Sequence, residues 1–170
     1  MSSLKKLSLF ATAILFASPS ARADLKVGDT FPDLATTDIV SISGAALPAT
    51  AGQVVLVDFW ASWCAPCKAS FPALGKIYAD FAPRGLVLAA VSIDEKPAAA
   101  AAFVKKLSPP FAPLHDRAQK LVSQVGVPTM PTSYLIDRAG KIRFIHDGFH
   151  GEATERQLRR EIEILLAEKP

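Results

Sequence analysis

The chain has 170 residues, half of them hydrophobic and 21% charged, which is enough for one globular domain with a core and too apolar for a disordered chain. Residues 1–23 carry Lys5, Lys6 and Arg22 and no acid, so without them bases and acids balance. The charge therefore gives no reason to expect nucleic acid or an anionic surface as a partner.

The N-terminus reads as a secretory signal peptide: Lys5 and Lys6, the apolar run Leu7–Ala17, then Ser18-Pro19-Ser20 and the small-residue triplet Ala21-Arg22-Ala23 ahead of Asp24. The run is well short of the ~20 residues a spanning helix needs, which favours cleavage after Ala23 over an uncleaved membrane anchor. No cysteine follows it, so a lipid anchor is not indicated. The expected division is a signal peptide over 1–23 and one domain over 24–170, in the bacterial periplasm.

Leu25 to Ala51 mixes Gly, Pro, Asp and Thr with short β-branched stretches such as Asp38–Ser43, predicting a small hairpin or cap leading into the fold. Val54–Phe59 is a nearly continuous apolar run of strand length, as in a central strand covered on both faces. Phe71, Leu74, Tyr78 and Phe81 then recur on one face of a helix that starts near Cys67, carries Pro72 and ends near Pro83-Arg84-Gly85. Leu86–Ile93 is predicted as a second buried strand, and Pro97–Leu107 as a helix opened by Pro and stopped before Pro109-Pro110. A short extended piece near Phe111–His115 and a short helix near Gln119–Val125 come next. Two strands, Thr132–Asp137 and Lys141–His146, are joined by Arg138-Ala139-Gly140, and a helix over Glu152–Glu168 puts Leu158, Ile162, Leu165 and Leu166 on one stripe. The alternation of strands and helices predicts an α/β fold.

Cys64 and Cys67 are the only two cysteines. A bridge between them closes a very small loop, and loop-closure stabilisation grows with loop length, so a structural staple here would hold little. Reactivity explains the pair better. Cys64 follows a buried strand and precedes a helix, so its sulfur is placed at the helix N-terminus, where free N–H groups and the dipole favour a thiolate. The thiolate is the attacking species. Cys64 is therefore the expected nucleophile, and Cys67, one turn further in, the thiol that resolves a mixed disulfide.

The segment Asp58-Phe59-Trp60-Ala61-Ser62-Trp63-Cys64-Ala65-Pro66-Cys67-Lys68 strongly resembles the active site of thioredoxins, with Pro72 and Met130-Pro131-Thr132 as further matches. Phe31-Pro32-Asp33 and Pro131-Thr132-Ser133-Tyr134-Leu135-Ile136-Asp137-Arg138-Ala139-Gly140 look like the exported TlpA-like branch, which includes the cytochrome c maturation reductases. The resemblance covers most of the chain after residue 23. It implies a thioredoxin fold, a central mixed sheet flanked by helices, here with an N-terminal β-hairpin extension, and a periplasmic thiol-disulfide oxidoreductase. Asp58 would be the buried carboxylate that relays a proton to and from Cys67. Pro131 would be cis, with the backbone of Met130 pairing with an extended client segment. Trp63, Ala65, Pro66, Met130 and Thr132 would form the client-binding surface, with Trp60 and Phe59 belonging more to the core.

Two positions depart from the pattern. The cytochrome-maturation enzymes usually carry a glutamate where this chain has Ser70, and many thioredoxins pair the buried aspartate with a lysine where this chain has Ala90. The expected partners are disulfide-containing exported proteins, such as apocytochrome c or metal-site assembly proteins, and a membrane electron donor of the thiol-transfer type. No cofactor, metal ligand set or nucleic acid is assigned, and a monomer is expected. The alternative from another class is a copper-handling metallochaperone using the same thiols; His146 and His150 are spaced as ligands sometimes are, but lie far from the cysteines in sequence. Peroxiredoxins share the fold but resemble a pattern with threonine at the position of Ala61.

Overall fold

The computed structural model describes residues 24–169; the expected signal peptide lies outside them. Six strands form one mixed sheet in the order β1-β4-β3-β2-β5-β6. The centre is β2 (Val54–Trp60), every residue of which is buried. It runs parallel to β3 (Leu86–Ser92) and antiparallel to β5 (Thr132–Ile136). The apolar run of β2, interrupted only by Asp58, follows from that position, since helices or loops cover both of its faces.

Helix α1 (Ala65–Phe81) makes the crossover from β2 to β3, with Pro66 in its first turn and Pro72 inside it. A proline near a helix start replaces an N–H that has no intrahelical partner anyway, whereas Pro72 removes a hydrogen bond from within the helix. Helix α2 (Pro97–Leu107) starts at its proline and ends at Ser108, which takes the left-handed conformation at φ 44°. The short α3 (Lys120–Val125) follows β4 (Leu114–Asp116). Strands β5 and β6 (Ile142–Asp147) form a hairpin whose turn is pinned by Asp137: its Oδ1 accepts from the N–H groups of Ala139 and Lys141 at 2.9 and 3.0 Å. Helix α4 (Glu152–Ala167) closes the chain, and Arg138 from the turn donates to the carbonyls of Leu165 and Glu168 at its C-terminal end, at 3.0 and 2.8 Å.

The fold class is the expected one, but the N-terminal extension is not a hairpin. Strand β1 (Ile39–Ser41) pairs antiparallel with β4, Ile39 opposite Asp116, and becomes the sheet edge. The physical reason is that β4 would otherwise leave its outer N–H and C=O groups unpaired. The rest of the segment reaches the opposite side of the molecule, where Gly28 N donates to Ile142 O and Phe31 N to Gly140 O.

The core has two layers. On one face of the sheet Leu56, Trp60, Leu88 and Leu135 pack with Phe71, Leu74 and Ile77 of α1, Phe103 of α2 and Leu158 and Ile162 of α4. On the other, Val55, Val57, Phe59, Val91 and Tyr134 pack with α3 and with Phe31, Leu34 and Ile39. The first layer ends in an aromatic knot: Trp60 stacks on Phe103 at 4.8 Å and meets Phe71 edge-on at 5.1 Å. Each such pair adds about 1 kcal/mol beyond the area it buries.

Candidate active site

Cys64 is the N-cap residue of α1, and its Sγ accepts a hydrogen bond from Cys67 N at 3.1 Å. The two cysteines form a disulfide with Cα atoms 5.3 Å apart. Cys67 is fully buried and Cys64 only 5% exposed. An anion left on Cys64 after reduction would lie on the free N–H groups and positive end of a 17-residue helix, the arrangement that depresses a thiol pKa.

The rim is apolar. Trp63 is 69% exposed, Ala65 and Pro66 are exposed, and Met130 is half-buried. The Met130–Pro131 peptide bond is cis. Pro131 and Thr132 are buried; Thr132 Oγ1 donates to Thr129 O at 2.9 Å, so its hydroxyl serves the loop and not the surface. Trp60 and Phe59 lie fully within the core.

Asp58 is on the same face of β2 as Leu56 and Trp60. It is 1% exposed, and Ser133 Oγ donates to its Oδ1 at 2.6 Å while Oδ2 has no hydrogen-bond partner. Burial pushes its carboxyl from 3.8 up to about 7, with the Ser133 hydrogen bond pulling the other way. Ala90 stands directly opposite Asp58 on β3 and offers it no polar group; the polar partner comes from the other side, where Ser133 on β5 is Asp58's register neighbour. Ser70 is buried and its hydroxyl donates to Cys67 O at 2.9 Å, a bond within its own helix.

A second buried acid supports the loop between β2 and α1. Asp94 accepts from Ser62 N at 3.0 Å, from Ser62 Oγ at 2.6 Å and from Ser92 Oγ at 2.8 Å. His115, 2% exposed, holds the Asp94 carbonyl at 2.7 Å. Nothing in the sequence around Asp94 marks it; the end of β3 brings it beside Ser62, 32 positions away. Of the two histidines weighed as ligands, His146 is buried against Glu161, Nε2 to Oε2 at 2.5 Å, and His150 is exposed.

A family profile described as AhpC/TSA family matches residues 27–145. The chain belongs to that family. Among AhpC/TSA-type relatives, a thiol-disulfide oxidoreductase ResA of Bacillus thuringiensis is 31% identical over 134 residues, 79% of this chain and 75% of the relative. The ResA of Oceanobacillus iheyensis is 32% identical over 149 residues, 84% of this chain and 78% of its own. A crystal structure from Chlorobium tepidum, described as a thiol:disulfide interchange protein DsbE, superposes with TM-score 0.71 at 33% identity, covering 84% of this chain and 99% of that one. The enzyme class is thiol-disulfide oxidoreductase on a thioredoxin fold. No helix among the described residues is long and apolar enough to cross a membrane.

Proposed function

We propose that the protein reduces disulfides of exported proteins in the periplasm, drawing its electrons from a membrane thiol donor, with apocytochrome c or metal-site assembly proteins as the kind of client. The observation that carries this reading is the placement of Cys64 Sγ at the start of α1 with Cys67 and Asp58 buried behind it.

In the reduced enzyme the Cys64 thiolate attacks one sulfur of the client disulfide. That S–S bond breaks, a Cys64–client mixed disulfide forms, and the other client sulfur leaves as a thiolate. Cys67 then gives its proton to the Asp58 carboxylate and attacks Cys64 Sγ, which forms the intramolecular disulfide and releases the second client thiolate. Two electrons pass from the cysteine pair to the client. Only Cys64 has any exposure, so the order of attack follows from access. The exposed ring of Trp63 with Ala65 and Pro66 supplies an apolar landing for the client, while Met130 offers backbone groups beside Pro131 to an extended segment.

Replacing the resolving thiol stops the cycle at the mixed disulfide. Cys67→Ser incubated with periplasmic extract is expected to accumulate thiol-sensitive adducts through Cys64, whereas the Cys64→Ser, Cys67→Ser double variant accumulates none. A trap that recovers no exported protein would sink the proposed function, and the recovered adducts name the clients.

A further inference from the structure

Ser133 is a polar residue where the fold calls for an apolar one. It is 6% exposed and sits on the face of β5 that it shares with Leu135, in the layer of Leu56, Leu88 and Phe71. A hydroxyl buried there is unfavourable unless it is hydrogen-bonded. Ser133 Oγ donates to Asp58 Oδ1 at 2.6 Å. The two residues are direct cross-strand partners in the register of β2 and β5, so the sheet itself holds them face to face. Among the described residues no second bond reaches the carboxyl: Ala90 stands opposite on β3, and Oδ2 has no partner.

The other titratable groups on this face are engaged with one another or belong to the reaction. His146 of β6 and Glu161 of α4 are bonded to each other at 2.5 Å. Asp94, past the end of β3, takes its donors from Ser62 and Ser92, and His115 of β4 holds the Asp94 carbonyl. Tyr78 of α1 is turned to Phe111, Arg159 of α4 packs over Phe81, and α2 contributes Ala100 and Phe103. Cys67 of α1 is buried in the same layer and is the thiol that the closing step must deprotonate.

We propose that Ser133 is a positioning residue for that step: by occupying Oδ1 it fixes the rotation of the Asp58 carboxyl and leaves Oδ2 as the atom that receives the Cys67 proton. The inference rests on Asp58 being the acceptor, as in the function proposed above. The step balances: the Cys67 proton passes to Oδ2, the Cys67–Cys64 S–S bond forms, and the Cys64–client S–S bond breaks. Cys67 is oxidised and the client sulfur leaves reduced, as a thiolate. Ser133 gives up no proton; its hydroxyl stays on Oδ1, more strongly when Asp58 is ionised. It thereby favours the ionised carboxylate against the burial that pushes Asp58 up to about 7. Without the hydroxyl the carboxyl rises further, and less of it is ready to act as a base at neutral pH.

The test is the pH profile of closure. The reduced full chain is mixed with oxidised glutathione in a rapid-quench device and weighed by mass spectrometry, which resolves formation of the Cys64–glutathione adduct from its closure to the Cys64–Cys67 disulfide. Ser133→Ala and Ser133→Val are expected to move the rise of the closure rate about one pH unit to the alkaline side. That is roughly tenfold slower closure near pH 6 and equal closure near pH 9, with adduct formation at the wild-type rate. Ser133→Thr has the shape of the valine variant, suits a strand equally well and keeps the hydroxyl, so it is expected to follow the wild-type profile. Asp58→Asn serves as the reference for a lost base. If Asp58→Asn closes at the wild-type rate at every pH, the acceptor reading fails and this inference with it. If Asp58→Asn slows closure while the threonine and valine variants share one profile, the hydroxyl has no part in the step and the proposal is overturned, with the role of Asp58 intact. Slowing of Ser133→Ala and Ser133→Val by one factor at every pH would reduce Ser133 to packing and overturn it as well.

Discussion

Asp58 is costly to the fold, and the function proposed above gives that cost a use. A carboxylate inside a strand with apolar neighbours on both sides resists ionisation, and its single hydrogen bond from Ser133 offsets only part of the desolvation. The sign of the stability effect follows. With the folded value near 7 and the unfolded value near 3.8, the folded state holds the proton more tightly, so the contribution is full below about pH 4 and is lost as pH rises through about 7. The loss is on the order of 4 kcal/mol, the free-energy equivalent of that shift. Asp58→Asn keeps an acceptor for Ser133 and cannot ionise. Oxidised Asp58→Asn is expected to melt close to wild type at pH 4 and well above it at pH 8; melting curves that stay parallel across that range would mean Asp58 is not held protonated. Ser70 and Ala90 resolve differently at this scale. Ser70 is absorbed by a bond within its own helix, while Ala90 leaves Asp58 to find its partner on β5.

At the scale of elements, the reactive sulfur depends on how the turn between β2 and α1 is held. Cys64 caps a helix, but the three residues before it have no regular ladder, and Asp94 supplies their fixed points through Ser62 N and Oγ. Three donors converge on this one buried carboxylate. Asp94→Ala, which takes the acceptor from all three, is therefore expected to lower stability by about 2 kcal/mol, the usual consequence of a buried donor left unpaired, read from urea unfolding at pH 7. Iodoacetamide alkylation of the reduced variant should show a raised Cys64 pKa, because the sulfur then samples positions away from the helix start. Unchanged alkylation would mean α1 alone positions the sulfur. The edge strand β1 carries the same lesson: three residues with mixed burial formed no hairpin of their own and were recruited by the open edge of β4.

For the molecule as a whole, the disulfide is a working part and the two apolar layers hold the fold. The bridge closes a loop of only four residues, for which chain entropy gives about 2 kcal/mol, small beside a core that buries Trp60, Phe59, Tyr134 and aliphatic side chains such as Leu56, Ile77, Leu135 and Ile162 almost completely. The reduced protein is expected to keep its far-ultraviolet circular dichroism and to melt within roughly 10 °C of the oxidised form. Collapse on reduction would return the pair to a structural role.

Element types, the reactive pair and the thioredoxin-like class were legible in the chain because each rests on local chemistry. Apolar runs set strands, three-four spacing sets helices, prolines and glycines set their ends, and the segment from Asp58 to Lys68 carries both cysteines and the buried acid in one uninterrupted stretch. The partners of that stretch were not legible. Ser133 and Asp94 lie 75 and 32 positions from Asp58 and Ser62, the residues they bond, and nothing in the sequence pairs them. Strand register and helix packing decide which distant side chains share a face, and those are set by burial of the whole core. For that reason the tertiary structure alone could show that Asp58's hydrogen-bond partner comes from β5 and not from β3, and that β1 closes the sheet.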